Sequence, residues 1–190
     1  MTRKQPTRRG PQPQLILEID DPADLVRLYE PDVSLLWWRQ DPLPDAAEVL
    51  QRELFSWAKE VGAQGEGLEE LEPLVGSAAV MARARTLVEL QASLFEVEQV
   101  GVRVALTQSP LCPSFHLNRL HCRIITTLAG EGTQWTLGPL YNVSETSVVQ
   151  QLPPGAVGWF KGTAWEGVRP LVHRSPPGTA RRLVLTVDLL

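Results

Sequence analysis

Both cysteines and two of the three histidines of this chain lie in one short stretch, CPSFHLNRLHC, which runs from Cys112 to Cys122. The third histidine, His173, lies far downstream, directly before the turn sequence RSPPG. Imidazole nitrogens and thiolate sulfurs are side-chain groups that bind zinc and other transition metals in proteins. This concentration of ligand types predicts a metal site that includes His116 and His173.

Side-chain alternation in a strand puts His116 and Asn118 on the same face. His121 would face the opposite side of an unbroken strand, but a turn near Arg119 would remove that argument. Two imidazoles, from His116 and His173, and one oxygen ligand would leave open the positions that an iron site needs for oxygen activation. Asn118 would be a weak third ligand, because its amide is neutral where iron sites usually have a carboxylate.

Two arginines that follow His173 are candidates for binding the carboxylate of an organic acid. Arg181 would share a strand face with the apolar residues Leu183, Leu185 and Val187. Arg182 would share the other face with Val184, Thr186 and Asp188. Alternation alone leaves open which arginine faces a pocket.

These residues resemble the pattern of the non-haem iron, 2-oxoglutarate-dependent oxygenases, which is HxD or HxE, a distant His, and an Arg or Lys soon after it. The resemblance implies a double-stranded β-helix in which Fe(II) is held by His116, His173 and, in place of the acidic ligand, Asn118. It also implies that Arg182 grips a carboxylate of the co-substrate 2-oxoglutarate, and Arg123 is a further candidate for cofactor binding. No separate catalytic residue is identified.

Longer strings resemble a bacterial family, domain-of-unknown-function family 1826, which has no established activity. The strings are CPSFHLNRLHCRIITTL, GEGTQW, LPPGAVGWFKG, VHRSPP and RRLVLTVDL. The family usually has CPxFHxD, so Asn118 departs from it, and its frequent position near zinc-responsive genes implies a role in zinc homeostasis. The alternative function is therefore a non-catalytic zinc-binding protein. A tetrahedral Zn(II) site would draw on Cys112, His116, His121 and His173.

The composition is that of a globular protein, with 190 residues, 43% hydrophobic and 21% charged. No apolar run reaches the roughly 18 residues of a membrane span. The formal net charge of −4 argues against a nucleic-acid surface over the whole domain. We therefore expect a cytoplasmic protein that binds a small organic acid and neither membrane nor nucleic acid. Oligomeric state and protein partners stay open.

The site must be positioned by the helices and strands around it. We expect an α+β protein, with N-terminal helices packed on a double-stranded β-helix (jelly-roll-like) core. Residues 1–14 form a predicted disordered basic tail, and residues 15–190 a single domain. Within it, residues 15–100 mix helices and strands, and residues 101–190 form the β half that carries the site. Apolar spacing predicts one helix from Asp45 through Val61 and another from about Ser77 to Glu98.

Overall fold

The computed structural model describes residues 14–52, 57–63, 65–178 and 181–190. The predicted basic tail lies outside the described residues, apart from its last residue. Within the described part, strands in two sheets combine with α-helices and 3-10 helices. The mixed α+β content that the sequence predicts is therefore confirmed.

Ten strands form in the described residues. They are β1 (Leu15–Ile19), β2 (Val33–Trp38), β3 (Trp57–Ala63), β4 (Val100–Thr107), β5 (Cys122–Ala129), β6 (Gln134–Thr136), β7 (Gln150–Gln151), β8 (Val157–Lys161), β9 (Val172–Arg174) and β10 (Arg182–Leu189). The main sheet has the order β1-β2-β8-β5-β10-β4-β3, and the small sheet has the order β7-β6-β9. Only β1 and β2 pair in parallel, whereas the other neighbours in both sheets are antiparallel.

In the part of the chain that the structure describes, three α-helices accompany the sheets: α1 (Pro44–Arg52), α2 (Glu72–Val75) and α3 (Ala78–Phe95). The 3-10 helices are Pro22–Tyr29, Gly65–Leu71 and Leu140–Asn142. The predicted helix near residues 77–98 is confirmed as α3, which begins after Ser77, whose Oγ accepts a hydrogen bond from Val80 N at 3.2 Å. None of the helices in the described ranges is long and apolar enough to cross a membrane.

Strand β10 separates the two parts of the hydrophobic core. Residues at alternate positions of β10 pack in the larger part of the core: Leu183, Leu185 and Val187. Residues of α1 and α3 pack with them there. Val184 points the other way and packs with Trp135 of β6 and Phe160 of β8. The opposite face of β10 therefore looks toward the small sheet, and it also carries Arg182 and Thr186.

The predicted helix from Asp45 through Val61 is wrong in its second half, because α1 ends at Arg52 and residues 57–63 form β3. Apolar residues at positions 57 and 61 are spaced four apart, which fits the period of a strand as well as that of a helix. β3 pairs along its whole length with β4. The pairing supplies hydrogen-bond partners to backbone groups of β4 that a helix would have left unpaired.

Candidate metal and organic acid site

A single antiparallel bridge joins His116 to His173. The backbone N–H of each residue donates to the carbonyl of the other, at 3.0 Å and 3.1 Å. The predicted strand around His116 is thus reduced to this one bridge, but the bridge brings the two imidazoles together. Their ring centroids are 4.5 Å apart.

Both imidazoles have the same tautomer. His173 Nδ1 lies 3.0 Å from the Leu171 carbonyl oxygen, and His116 Nδ1 lies 3.1 Å from the Ser114 carbonyl oxygen. A carbonyl oxygen can only accept, so Nδ1 carries the donated proton in both rings, and a lone pair for a metal would have to come from Nε2. Metal-bound histidines have this arrangement, in which the second nitrogen donates to a backbone carbonyl.

The side chain of His173 is buried, with 3% of its surface exposed, and its ring packs 4.8 Å from the ring of Phe160, centroid to centroid. Its Nε2 has no hydrogen-bond partner in the part of the chain that the structure describes. The pKa of His173 is lowered to about 4, chiefly by burial; the hydrogen bond to the Leu171 carbonyl opposes this shift, and electrostatic repulsion from His116 and Arg123 contributes to it. At neutral pH His173 therefore presents a buried, neutral, unsatisfied lone pair.

Asn118 is buried as well, and its amide faces an ion pair. Its Oδ1 accepts a long hydrogen bond of 3.4 Å from Arg123 Nη1, and its Nδ2 has no partner among the described residues. Arg123 donates from Nε and Nη2 to the two carboxylate oxygens of Asp188, each at 2.6 Å. These hydrogen bonds raise the pKa of Arg123. Two of the three nitrogens of Arg123 are thus committed to Asp188.

Arg182 is a buried cation with neutral hydrogen-bond partners. Its Nε donates to the Glu131 carbonyl oxygen at 2.7 Å and its Nη2 to Thr127 Oγ1 at 3.0 Å. Burial lowers the pKa of Arg182 to about 10, which still leaves it charged at neutral pH. The loop after β5 can approach it because residue 130 is a glycine with φ +89°, and a Cβ there would lie 3.1 Å from Arg182 Cα.

A cavity of about 120 Å³ unites these groups, since its lining includes His116, His173, Arg123 and Arg182. Val184 and Thr186 also line it, so the inward face of β10 is the face of Arg182. Asn118 lies at the Arg123 end and does not line the cavity itself.

The other metal-capable residues lie apart from the imidazole pair or at its margin. His121 is exposed and stacks on Trp165, with ring centroids 4.6 Å apart. Cys122 is buried, which raises the pKa of its thiol, and Cys112 is exposed and lines the cavity. Among the described residues, no three His, Cys, Asp or Glu side chains are grouped to hold a metal ion, so the tetrahedral zinc set is not formed.

Two features near the cavity were missed by the reasoning from sequence: the ion pair of Asp188 with Arg123, and the position of Arg174. Asp188 shares a strand face with Val184 and Thr186, so alternation could have identified it as a partner for an inward-facing cation. Arg174 also lines the cavity, and although it lies within the string VHRSPP, no role was predicted for it. Its position directly after His173 is the only signal in the sequence.

Solved structures of oxygenases share this fold. A rice dioxygenase for auxin oxidation is 13% identical, with a TM-score of 0.58 over 94% of this chain and 82% of that one. A Pseudomonas putida prolyl-4-hydroxylase is 15% identical, with a TM-score of 0.54 over 88% of this chain and 98% of that one. Neurospora crassa T7H in complex with alpha-KG is 10% identical, with a TM-score of 0.53 over 91% and 82%. At these identities the likeness shows a common fold.

The chain belongs to the family described as protein of unknown function (DUF1826), whose model matches residues 19–188. No curated protein matches the chain. Both resemblances predicted from the sequence, to this family and more distantly to the 2-oxoglutarate oxygenases, are confirmed.

Proposed function

We propose that this chain is a double-stranded β-helix protein of the Fe(II)- and 2-oxoglutarate-dependent oxygenase type. In this proposal His116 and His173 hold the iron, Asn118 is a weak third ligand, and Arg182 binds a carboxylate of 2-oxoglutarate. The observation that carries it is the buried Nε2 of His173, which has no hydrogen-bond partner among the described residues and belongs to a residue lining the same cavity as Arg182.

The two imidazoles fit a divalent metal. Each Nδ1 is committed to a carbonyl oxygen, which leaves each Nε2 as a neutral donor of the kind that iron accepts. Burial keeps His173 neutral, so no proton competes for its lone pair near pH 7. A metal ion would also satisfy a buried acceptor that the described residues leave unpaired.

Asn118 fits less well. Its amide oxygen carries no charge and already accepts from Arg123, so it is a weaker ligand than a carboxylate. An aspartate at this position would keep the contact with Arg123 and add the missing negative charge. The predicted role of Asn118 as third ligand therefore leads directly to a test by substitution.

Arg182 supplies the charge and geometry for an organic acid. Glu131 and Thr127 fix its guanidinium, and neither hydrogen bond offsets its positive charge with a carboxylate. A bound carboxylate would supply that counter-charge through charge-assisted hydrogen bonds. The T7H structure with this fold is a complex with alpha-KG, another name for 2-oxoglutarate, which supports this choice of acid. The cofactor role predicted for Arg123 is limited to its Nη1 by the ion pair with Asp188.

When bound, iron would supply the activation of dioxygen. The chain's own part is to hold the acid at Arg182, to keep His173 unprotonated, and to exclude bulk water. Val184 and Ile125, which line the cavity and belong to the core, contribute apolar surface for that exclusion.

A second candidate, a non-catalytic metal-binding protein, is favoured by one observation, the amide of Asn118 at the position of the acidic ligand. Such a protein would bind a metal at the two imidazoles without turning over 2-oxoglutarate. The predicted role in zinc homeostasis belongs with this candidate and stays a prediction.

The test compares the wild type with Asn118→Asp for Fe(II) affinity and for conversion of 2-oxoglutarate to succinate under air. We expect the wild type to bind Fe(II) and Asn118→Asp to bind it at least about tenfold more tightly, with faster succinate formation, because a carboxylate is the harder and anionic ligand. Asn142→Asp, at the other asparagine of the chain, adds the same charge on the exposed surface and should change neither quantity. Metal binding without turnover in either protein would favour the non-catalytic candidate. No metal binding at all would refute both.

A further inference from the structure

One carboxylate, that of Asp188, lies on the face of β10 that looks toward the small sheet and has no part in the proposed function. The register of β10 with β5 puts Asp188 directly opposite Arg123. Its two carboxylate oxygens accept from Nε and Nη2 of Arg123, each at 2.6 Å. A bidentate pair of this kind fixes the plane of the guanidinium as well as its position. Asp188 therefore determines where the remaining nitrogen of Arg123, Nη1, points.

That remaining nitrogen holds the side chain of Asn118, which is buried with 4% of its surface exposed. Arg123 Nη1 donates to Asn118 Oδ1 at 3.4 Å, and Nδ2 has no partner in the part of the chain that the structure describes. Because a guanidinium has only donors, it selects the oxygen end of the amide over the nitrogen end. Oδ1 has two lone pairs, so one can accept from Arg123 while the other binds a metal ion. Arg123 thereby holds the one side-chain atom of Asn118 that can be a metal ligand.

The backbone of Asn118 is anchored independently of this ion pair. Thr163 N–H donates to the Asn118 carbonyl oxygen at 2.8 Å, and Gly162 N–H donates to the His121 carbonyl oxygen at 2.9 Å. Gly162 allows the two segments to meet, since a Cβ on it would lie 2.8 Å from the Asn118 carbonyl oxygen. With the backbone held in this way, loss of the ion pair frees the amide to turn without moving the segment that carries His116.

We propose that Asp188 is a positioning residue of the metal site, which acts through Arg123 to keep Oδ1 of Asn118 in place as the third ligand. A neutral amide binds a divalent cation weakly, so it gains little to offset the entropy lost when its side chain is ordered by the metal. An amide that is already oriented avoids that loss. This inference rests on the proposed function, because it assigns a role toward the metal that His116 and His173 would hold.

The test is a double-mutant cycle on the full chain, with the dissociation constant for Fe(II) measured by anaerobic calorimetry. We expect Asn118→Ala and Asp188→Asn each to weaken Fe(II) binding about tenfold, because loss of a group that orients a metal ligand has effects of this order. The double variant should bind Fe(II) within about twofold of Asn118→Ala, since Asp188 then has no amide to position. Asp188→Glu keeps the carboxylate and should retain most of the wild-type affinity. Asp20→Asn, which removes an exposed carboxylate paired with Arg39, is the matched control and should leave the affinity unchanged.

Arg123→Met tests the same chain of contacts at its centre, because methionine keeps an apolar stem but cannot donate to Oδ1. It should weaken Fe(II) binding as Asp188→Asn does, and again only while Asn118 is present, so the test does not depend on one variant folding. Unchanged affinity in both variants, or the same loss with and without the Asn118 amide, would overturn the proposal, the second result because it indicates a purely structural effect. Fe(II) binding that is lost in His173→Ala but unaffected by Asp188→Asn would overturn this inference and leave the proposed function standing. No Fe(II) binding by the wild type would overturn both.

Discussion

Lowering the pH from 7 to 4 is expected to destabilise the metal-free protein by about 3 kcal/mol through His173. The ordinary pKa of a histidine is about 6.5, and burial lowers that of His173 to about 4 in the folded chain. Each unit of difference corresponds to about 1.4 kcal/mol, so roughly 2.5 units correspond to about 3.4 kcal/mol in full, of which about 3 kcal/mol is lost by pH 4, where half of the folded chains are protonated at His173.

The direction follows from which state binds the proton. Between about pH 6.5 and pH 4, the unfolded chain protonates this histidine while the folded chain does not, so protons favour the unfolded state. The stability that His173 contributes is complete above pH 6.5 and is lost as the pH falls through the folded pKa of about 4. The same neutral ring at pH 7 is what a metal ligand requires.

Urea unfolding of chelator-treated protein at pH 7, 5.5 and 4 measures this loss. His173→Gln, which cannot titrate, should lose about 3 kcal/mol less than the wild type between pH 7 and pH 4. His121→Gln is the control, because His121 is exposed and stacked on Trp165, and it should retain the pH dependence of the wild type. Equal pH dependence of wild type and His173→Gln would refute the reasoning that His173 is buried, neutral and unpaired.

Three further substitutions, one of them with a matched control, test the positioning of the site. Arg182→Gln should raise the dissociation constant for 2-oxoglutarate at least about tenfold by calorimetry, since a charge-assisted hydrogen bond contributes about 1.5–3 kcal/mol. Gly155→Ala should lower the unfolding free energy by about 2 kcal/mol or more, because residue 155 has φ +85° and its Cβ would lie 2.6 Å from backbone. Gly62→Ala, with open space around its Cβ, should cost less than about 0.5 kcal/mol. Asp188→Asn should cost about 1–2 kcal/mol in the same assay, because it breaks the partly buried ion pair with Arg123.

Much of the site could be predicted because its residue types are rare in this chain. Three histidines in 190 residues made His116 and His173 natural candidates, and the structure brings their rings together. Side-chain alternation along β10 indicated that only one of Arg181 and Arg182 faces the pocket, but it could not show which one. That decision depends on which face of β10 packs against α3, which is a tertiary contact.

The features that could not be predicted depend on pairing between distant segments. The stretch around His116 forms one bridge and no strand, because only the His116 and His173 backbones pair reciprocally; the Cys112 and Asn118 carbonyls accept single hydrogen bonds from Ser175 and Thr163. Residues 57–63 form a strand that pairs with β4, although the spacing of their apolar residues had predicted a helix. The Asp188 to Arg123 ion pair, which sets the surroundings of Asn118, likewise joins β10 to β5 across 65 positions of sequence.

The most direct test of the central claim, that His116 and His173 form one metal site, is the metal bound per chain. The tag-free protein is loaded with Fe(II) under anaerobic conditions, freed of excess metal and measured by elemental mass spectrometry beside His116→Ala, His173→Ala and His121→Ala. We expect about one iron per chain in the wild type and in His121→Ala, and loss of that iron in both other variants. Iron retained by either His116→Ala or His173→Ala, or absent from the wild type, would contradict it.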